Sequence, residues 1–385
     1  MYTRRLEPPD RSFFLFGPRG TGKTTWLRQA FPAAVWFDLV REAEFLRVVR
    51  DPEAFRQRVE AAPSGAWVVV DEVQRHPALL NDVQDLIARH GRRYRYALTG
   101  SSARRLRRER ANLLAARVIN RRFFPLTAAE LGADFRLDHA LRWGTLPAVA
   151  SEPEPRARDE LLEAYVENYI TQEIRLEAAV RRLDAFTRFL EVAALANAQV
   201  TNVSNLSRDA AVARPTVQGY FETLVDTLIG TWLPAWRPRA RVKEVGHPKF
   251  YFFDTGVVRA LAGRSREPLE RAERGPLLET YVFHELRTHQ DQSGAGREFS
   301  YWGTPSRAEV DFIWTRGRRA VGIEVKAITR WRGEESRALA ELVTSGIVQR
   351  AFAVYEGSRP LRSGPVDVLP LARFLELLTA GKIIG

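Results

Sequence analysis

Short apolar runs alternate with amphipathic stretches through the first 135 residues. Five runs have the length and the β-branched and aromatic content of buried strands: Ser12–Phe16, Ala34–Asp38, Trp67–Asp71, Arg95–Thr99 and Arg117–Phe123. Between them, apolar residues recur at helical spacing in Thr24–Ala30, Asp51–Ala61 and Leu79–His90. Alternation of strands and helices is typical of a parallel α/β sheet. We therefore predict an α/β domain over residues 1–140.

The strand pattern fades beyond this domain. Helical spacing predicts helices at Arg156–Ala179, Leu183–Asn197 and Thr216–Leu228. Proline, arginine and glycine then cluster at Pro234–Pro248, which is typical of a domain boundary. We predict a helical domain over residues 141–245.

The last third of the chain has an α+β pattern. The predicted elements are a helix at Pro276–Gln290, strands at Phe299–Trp302, Glu309–Trp314, Ala320–Lys326 and Arg350–Tyr355, and a closing helix at Leu371–Ala380. We predict a third domain over residues 246–385.

Composition limits the classes of partner. The 385 residues are 45% hydrophobic and 28% charged, which excludes disorder for most of the chain. The formal net charge of +12 favours a polyanionic partner such as DNA. Arginine supplies most of the positive charge, which phosphate contacts or a GC-rich gene would explain equally well. Cysteine is absent, which excludes disulfides, thiolate metal sites and cysteine nucleophiles.

The sequence shows neither a signal peptide nor a run of about 18 apolar residues. We therefore expect no membrane span and a cytoplasmic location. Lysine is scarce, with five residues at Lys23, Lys243, Lys249, Lys326 and Lys382. Because arginine substitutes poorly for a compact ammonium, each lysine is a candidate for a specific role.

A glycine-rich loop follows the first predicted strand. It fits the phosphate-binding pattern G-x-x-x-x-G-K-[ST] with Gly17, Pro18, Arg19, Gly20, Thr21, Gly22, Lys23 and Thr24, and Thr25 opens the next helix. The glycines let backbone N–H groups face the phosphates of a nucleotide at a helix N-terminus. Lys23 would place a charge on the β- and γ-phosphates, and the Thr24 hydroxyl would bind Mg²⁺. The loop therefore predicts a site for ATP and Mg²⁺.

The predicted strand Trp67–Asp71 ends in two acids. Asp71 would hold the Mg²⁺ shell, and Glu72 would orient and deprotonate the attacking water. An Asp-Glu pair after an apolar run is weak on its own, but here it follows a complete phosphate loop. The pair favours ATP hydrolysis over nucleotide storage.

These motifs resemble those of a widespread bacterial and archaeal family of AAA-type ATPases whose C-terminal part is a domain of unknown function. The resemblance runs nearly from end to end and also includes Leu98–Ser102, Phe124–Glu130, Tyr251–Gly256, Tyr301–Trp302 and Glu309–Phe312. It implies an ATPase able to form a ring such as a hexamer. The family offers no single biological role.

The resemblance implies two further groups at the ATP site. AAA+ ATPases place a polar sensor between the two acids and the γ-phosphate, and Thr99 is the candidate here, with Ser101 as the second choice. They also use an arginine that reaches the γ-phosphate of a neighbouring subunit. We favour Arg117 among the candidates Arg104, Arg105, Arg107, Arg108, Arg117, Arg121 and Arg122.

Acidic residues recur in the C-terminal third. Glu324 and Lys326 are two apart on a predicted strand and would project to the same face. Asp311 on the preceding strand could share a divalent cation with Glu324, and Glu279 on a helix could add a third carboxylate. Oxygen ligands suit Mg²⁺, and Lys326 could position the hydrolytic water or stabilise the charge on a phosphate.

This order of acids followed by Glu-x-Lys resembles the PD-(D/E)XK nuclease core, including that of archaeal Holliday-junction resolvases. The resemblance implies a restriction-endonuclease-like fold in the third domain. Such a fold either cleaves DNA or persists as a DNA-binding or docking module.

Residues 205–221 are typical of a helix-turn-helix, with Pro215 near the start of the second helix. Trp232–Pro234 and Lys249–Phe252 could form a wing, which predicts a winged-helix fold. The candidate DNA contacts are Arg208, Arg214, Thr216 and Gln218. Winged helices also serve as packing elements in AAA+ proteins, so DNA reading and packing both stay open.

The leading hypothesis is a Mg²⁺-dependent AAA+ ATPase that acts as an oligomeric ring on duplex or branched DNA, a Holliday junction included. The alternative is a regulatory protein in which ATP binding switches a protein partner and the nuclease-like fold is an inactive docking module. A metabolic P-loop kinase is a third class, but it leaves most of the chain unexplained.

Overall fold

A computed structural model describes residues 2–101, 114, 117–170, 182–237, 246–295, 298–304 and 308–384. The chain divides into two compact units. The smaller unit comprises Thr3–Pro125 and Asp226–Ile229, and the larger unit comprises Met1–Tyr2, Leu126–Val225 and Gly230–Gly385. The division into three domains stays a prediction. Across the described ranges, every helix is too short or too polar to cross a bilayer.

The smaller unit is built on a parallel sheet. Its strands are β1 (Phe13–Phe16), β2 (Val35–Asp38), β3 (Trp67–Asp71), β4 (Arg95–Gly100) and β5 (Ile119–Arg122). Its helices are α1 (Lys23–Ala30), α2 (Glu42–Arg50), α3 (Pro52–Glu60) and α4 (Leu79–His90). The strand order is β2-β3-β4-β1-β5, with every pairing parallel. The carboxyl ends of β3, β4 and β1 therefore lie side by side at one edge of the sheet.

Apolar side chains cover both faces of this sheet. Along β3, Val68 and Val70 pack into one core, whereas Val69 packs into the other. A strand buried on both faces needs an apolar residue at every position, which explains the unbroken run of valines. The first polar side chains come where β3 ends, at Asp71 and Glu72.

The first part of the larger unit is mostly helical. Its helices are α5 (Ala128–Leu131), α6 (Leu137–Trp143), α7 (Pro147–Ser151), α8 (Pro155–Ala164), α9 (Leu183–Leu195), α10 (Val203–Asp209) and α11 (Arg214–Asp226). A π-helical turn, Tyr165–Ile170, continues α8. The remainder of the helix predicted to end at Ala179 lies outside the described residues. Strands β6 (Gly230–Leu233) and β7 (Lys249–Phe252) then form an antiparallel pair, followed by α12 (Thr255–Leu261).

A mixed sheet forms the rest of the larger unit. After the long helix α13 (Arg271–Ser293) come β8 (Glu298–Gly303), β9 (Glu309–Arg316), β10 (Arg319–Lys326), α14 (Arg337–Thr344), β11 (Arg350–Tyr355), β12 (Leu361–Ser363), β13 (Val366–Pro370) and α15 (Leu371–Thr379). The strand order is β12-β13-β11-β10-β9-β8. β9 is antiparallel to both of its neighbours, β8 and β10, whereas β10, β11 and β13 are parallel. The sequence analysis does not predict α2, α5, α6, α7, α12, α14, β12 or β13.

Asp254 joins α12 to the loop after α6. Its buried carboxylate caps α12 by accepting a hydrogen bond from the Val257 N–H (3.1 Å), and it accepts another from the Thr145 N–H (2.8 Å). Gly144, at φ +71°, lies against this carboxylate, and a Cβ there would be 1.9 Å from Asp254 Oδ1. Position 144 therefore requires glycine for its backbone conformation and for the space that Asp254 occupies.

We predict that Gly144→Ala destabilises the larger unit more than Gly263→Ala does. Gly144 combines φ +71° with ψ −163°, a backbone region that is essentially restricted to glycine. Gly263 has φ +70° and nothing within 4 Å of its Cβ position, so Gly263→Ala reports only the strain of a side chain at positive φ. That strain costs about 1–2 kcal/mol. The overlap with Asp254 should add about 1–3 kcal/mol at position 144. Urea denaturation of both variants measures the difference, and equal losses of stability would refute the close packing.

Candidate functional site

The loop between β1 and α1 has the backbone of a tight turn. Gly20 (φ +72°) and Gly22 (φ +90°) adopt left-handed conformations that disfavour other residues, and α1 begins directly after Gly22. Gly17 is required for a different reason, because a Cβ there would lie 2.3 Å from the Phe123 carbonyl oxygen. The loop is thus shaped by its glycines and packed closely against the end of β5.

The side chains of the loop are bonded to its own carbonyl groups. The buried Lys23 ammonium donates to the Gly17 oxygen (2.7 Å) and the Pro18 oxygen (3.0 Å). The Thr21 hydroxyl also donates to the Pro18 oxygen (2.8 Å). These bonds hold a positive charge inside the concave loop at the N-terminus of α1, a position suited to an anion.

Asp71, at the end of β3, receives two hydroxyl groups. Thr24 Oγ1 donates to one carboxylate oxygen (2.7 Å), and Thr99 Oγ1 donates to the other (2.5 Å). Burial raises the pKa of Asp71, and the two hydroxyl donors oppose that rise. The arrangement brings together the predicted Mg²⁺ ligands Thr24 and Asp71 and the predicted sensor Thr99.

The carboxylate of Glu72 has partners of its own, although its backbone shares Thr99 with Asp71. Glu72 adopts a left-handed backbone conformation (φ 59°), which is uncommon for a residue with a side chain, and its N–H donates to Thr99 Oγ1 (2.8 Å). Its carboxylate accepts from the amide of Gln74 and from Ser101 Oγ (3.2 Å). The turn after β3 therefore directs the two acids toward different partners.

These residues fit a nucleotide bound with a magnesium ion. The loop supplies backbone N–H groups and an ammonium for phosphate, and Thr24 with Asp71 supplies hydroxyl and carboxylate oxygens for a hard cation. The Glu72 carboxylate is fixed beside them by neutral groups, so its negative charge is not cancelled. The site has the parts that phosphoryl transfer to water requires.

Two residues of this site were missed by the sequence analysis. Gln74 bridges Glu72 and Ser101, and its position two residues after Glu72 was the available signal. Arg4 donates to the Phe124 oxygen (2.6 Å) and the Thr21 oxygen (3.3 Å), and its guanidinium lies 4.2 Å from the centre of the Phe123 ring. No local pattern marks Arg4, because its contacts at the end of β5 are more than a hundred residues away in the chain.

The four residues predicted for a nuclease-like site lie in one cluster. β9 and β10 pair with Phe312 opposite Ile323, which brings Asp311 next to Glu324. The Asp311 N–H donates to Glu324 Oε2 (3.4 Å), and the Val325 N–H donates to Asp311 Oδ2 (2.8 Å). Lys326 forms an ion pair with Glu324 (2.5 Å). Glu279, on α13, joins them through Lys249.

Lys249 was not predicted to belong to this cluster. It lies on β7, its side chain is 2% exposed, and its ammonium contacts three carboxylates. The N···O distances are 2.9 Å to Glu279, 2.5 Å to Glu309 and 3.5 Å to Asp311. The scarcity of lysine in the sequence was a signal for Lys249, but only the fold brings β7 next to α13 and β9. Tyr251, two residues on, donates its hydroxyl to Glu279.

The cluster is electrostatically crowded. Burial and the neighbouring Asp311 raise the pKa of Glu279 to about 7, and the same causes raise the pKa of Glu324 well above its usual range. Burial lowers the pKa of Lys249, but the surrounding carboxylates more than offset this and raise it overall. Within the described residues, no three acids or histidines are arranged to hold a metal ion. As its side chains stand, the cluster does not fit a divalent cation, because the Lys249 ammonium lies between Glu279 and Asp311.

The predicted DNA contacts are on the surface of the larger unit. Helices α10 and α11 form the expected helix pair, and Arg208, Arg214, Thr216 and Gln218 are all exposed. Arg117, in the smaller unit, is also exposed. The competing arginine candidates at 104, 105, 107 and 108 lie outside the described residues.

The chain contains an AAA-type P-loop ATPase domain. Residues 9–132 match a family model described as an AAA domain. Two further models, both described as domains of unknown function, match residues 134–268 and 274–374. The uncharacterized proteins Mb2031c of Mycobacterium bovis and Rv2008c of Mycobacterium tuberculosis are each 27% identical over 379 residues, which is 96% of this chain and 81% of each relative.

Solved structures show weak similarity. A variant of RuvB from Thermotoga maritima aligns with a TM-score of 0.29 and 15% identity over 58% of this chain and 82% of that one. Protein VC1899 from Vibrio cholerae aligns with a TM-score of 0.23 and 13% identity over 96% of each chain. The Bacillus subtilis clamp loader delta protein aligns with a TM-score of 0.23 and 11% identity over 72% of this chain and 95% of that one. Similarities at these TM-scores establish neither a shared fold nor a shared function.

We predict that Thr99→Val destabilises the smaller unit by about 1–3 kcal/mol in the absence of nucleotide. Valine keeps the shape of threonine but leaves the buried Glu72 N–H and one oxygen of Asp71 without their partner. Thr25→Val is the matched control, because Thr25 is exposed in the same unit. Thermal or urea unfolding measures both variants. A loss no larger than that of the control would show that the Thr99 hydroxyl does not hold the two acids.

Proposed function

We propose that this protein is a Mg²⁺-dependent AAA+ ATPase that acts on duplex or branched DNA. The observation that carries the ATPase part is that two adjacent acids at the end of β3 have different hydrogen-bond partners. Asp71 is bonded to Thr24 and Thr99, whereas the adjacent Glu72 is bonded to Gln74 and Ser101. Two neighbouring acids whose carboxylates have different partners can perform two different tasks.

The proposed roles follow from these positions. Backbone N–H groups of Gly17–Thr24 and the Lys23 ammonium would bind the phosphates, after Lys23 exchanges its loop carbonyl partners for phosphate oxygens. Thr24 and Asp71 would hold Mg²⁺, which neutralises phosphate charge when bound. Glu72 would accept a proton from the attacking water, and Gln74 with Ser101 would keep its carboxylate in place. Thr99 would act as the sensor.

The second half of the proposal concerns DNA. The +12 net charge and the exposed Arg208, Arg214, Thr216 and Gln218 on the α10–α11 helix pair support it. The antiparallel pair β6 and β7 follows α11, as a wing would in the winged-helix fold that we propose for this segment. A Holliday junction is a candidate substrate, since a motor and a resolvase-like fold would occur in one chain.

The restriction-endonuclease-like fold of the C-terminal sheet is part of the same proposal. Its support is the convergence of Glu279, Asp311, Glu324 and Lys326 from one helix and two strands. We propose further that several copies assemble into a ring such as a hexamer, in which Arg117 reaches the ATP site of the next copy.

A second function class shares the ATP site. In a nucleotide-dependent switch, ATP hydrolysis would reset a protein-binding surface, and the C-terminal sheet would be a docking module that does not cleave. The Lys249 contacts within the carboxylate cluster favour a non-cleaving sheet. They are compatible with DNA binding and with protein binding alike.

We predict that duplex or four-way DNA raises the ATPase rate at low salt and that Lys23→Ala lowers it at least about 100-fold, with or without DNA. The exposed Lys382→Ala is the control for loss of a lysine elsewhere and should leave the rate unchanged. Phosphate release is measured with single-stranded, duplex and four-way DNA, and the same samples are analysed for cleaved strands. An equal rate with and without every DNA would contradict the DNA role and favour the switch.

We predict that Glu72→Gln lowers kcat at least about 100-fold while ATP affinity changes little, because the amide keeps the shape of the side chain but cannot accept the proton. Glu53→Gln, at an exposed position of α3, is the control. Binding of a fluorescent ATP analogue and steady-state hydrolysis separate the two quantities. Loss of ATP affinity in Glu72→Gln, with kcat unchanged, would show that Glu72 is not the residue that accepts the proton from water.

A further inference from the structure

The carboxylate cluster of the larger unit contains a cation that belongs to the chain itself. We infer that the Lys249 ammonium occupies the position of a divalent metal ion, so that the three carboxylates around it, Glu279, Glu309 and Asp311, form a latent metal site that opens when Lys249 is removed. The inference concerns the larger unit and is independent of ATP hydrolysis and of DNA stimulation.

The distances place the ammonium among the oxygens that a metal ion would use. Lys249 Nζ lies 2.9 Å from Glu279 Oε1 and 3.5 Å from Asp311 Oδ1. A Mg²⁺ ion bound to the same two oxygens at about 2.1 Å would compete with the ammonium for their lone pairs. The two cations would also repel each other in a buried site, where screening by water is weak. Occupation by Lys249 and by a metal ion therefore exclude each other.

The other carboxylate oxygens are committed to partners as well. Asp311 Oδ2 accepts from the Val325 N–H (2.8 Å), and Glu324 Oε2 accepts from the Asp311 N–H (3.4 Å). Glu324 Oε1 is paired with Lys326 (2.5 Å). Lys249 and Lys326 thus divide the cluster between them, with Glu279, Glu309 and Asp311 around the first and Glu324 beside the second.

The Lys249 side chain has little freedom to leave. Its backbone is fixed on both sides, because Lys249 pairs with Leu233 of β6 and forms a bridge with Val200. The ammonium also lies 5.4 Å from the centre of the Tyr301 ring, a favourable cation–π position. Moving the ammonium to solvent would leave three carboxylates without the charge that they share, which is strongly unfavourable in a buried site.

The consequence for function is specific. A sheet with a resident ammonium can attract a phosphate through Lys326, but it lacks a place for the metal ion on which the predicted phosphodiester cleavage depends. We therefore expect the C-terminal sheet to bind or dock without cleaving.

The test is a Mn²⁺ titration followed by electron paramagnetic resonance of the free ion. All samples contain the full chain without nucleotide and carry Asp71→Asn, which removes the predicted metal ligand of the ATP site. The parent should bind no Mn²⁺ at this cluster. Lys249→Ala should gain one site, which fills at Mn²⁺ concentrations at least about tenfold below any at which the parent shows binding. Adding Asp311→Asn to Lys249→Ala should abolish the gain.

Two controls separate charge from loss of structure. Lys249→Arg keeps a cation at the position and should gain no site, and Lys382→Ala removes an exposed lysine and should behave as the parent. If Lys249→Ala is too unstable to purify, Mn²⁺ binding and DNA nicking by the parent test the inference. A single Mn²⁺ site in the parent that Asp311→Asn removes, or Mg²⁺-dependent nicking of DNA that Asp311→Asn removes, would overturn the inference.

Discussion

A carboxylate buried in a protein must be compensated, and the way in which it is compensated determines what it can still do. At the end of β3, the carboxylates of Asp71 and Glu72 accept hydrogen bonds from hydroxyl and amide donors, which are neutral. Their negative charge therefore stays available to a cation or a proton. In the carboxylate cluster of the larger unit, the single ammonium of Lys249 lies against both Glu279 and Asp311 and offsets part of their charge directly. The acids at the end of β3 can therefore still bind a cation or a proton, whereas the carboxylates of the cluster already bind a cation of the chain itself.

The parallel sheet explains how the first site is assembled. Because β3 and β4 are adjacent and parallel, Asp71, Thr99 and Ser101 follow strands that end at the same edge, and β1 delivers the glycine-rich loop there as well. Such convergence is a property of the strand order and not of any side chain. The antiparallel hairpin of β9 and β10 has a comparable effect in the larger unit, where opposite directions of the chain bring Asp311 beside Glu324.

Most of the elements could be predicted from the sequence because their patterns are local. The run Trp67–Asp71 is a strand with those bounds, and Leu79–His90 is a helix with those bounds. Helix α13 was predicted to begin at Pro276, since proline fits the first turn of a helix, yet it begins at Arg271, where Glu270 and Glu273 form a capping pair. The contacts of Arg4 and Lys249 could not be predicted, because they connect segments far apart in the chain and depend on which elements pack together.

The use of lysine in a chain so rich in arginine supports this view of the two sites. Of the three lysines at candidate sites, Lys23 and Lys249 are buried, and each places a compact ammonium against several oxygens at once. An arginine fork is planar and longer, so it would keep the charge at either position but not the single-point contacts of the ammonium. In the loop, the partners of the ammonium are carbonyl oxygens, which a phosphate can replace at little cost. In the cluster, the partners of the ammonium are carboxylates, which bind it far more strongly. In the roles proposed above, the same side chain is therefore a ligand-binding group in one unit and a fixed structural cation in the other.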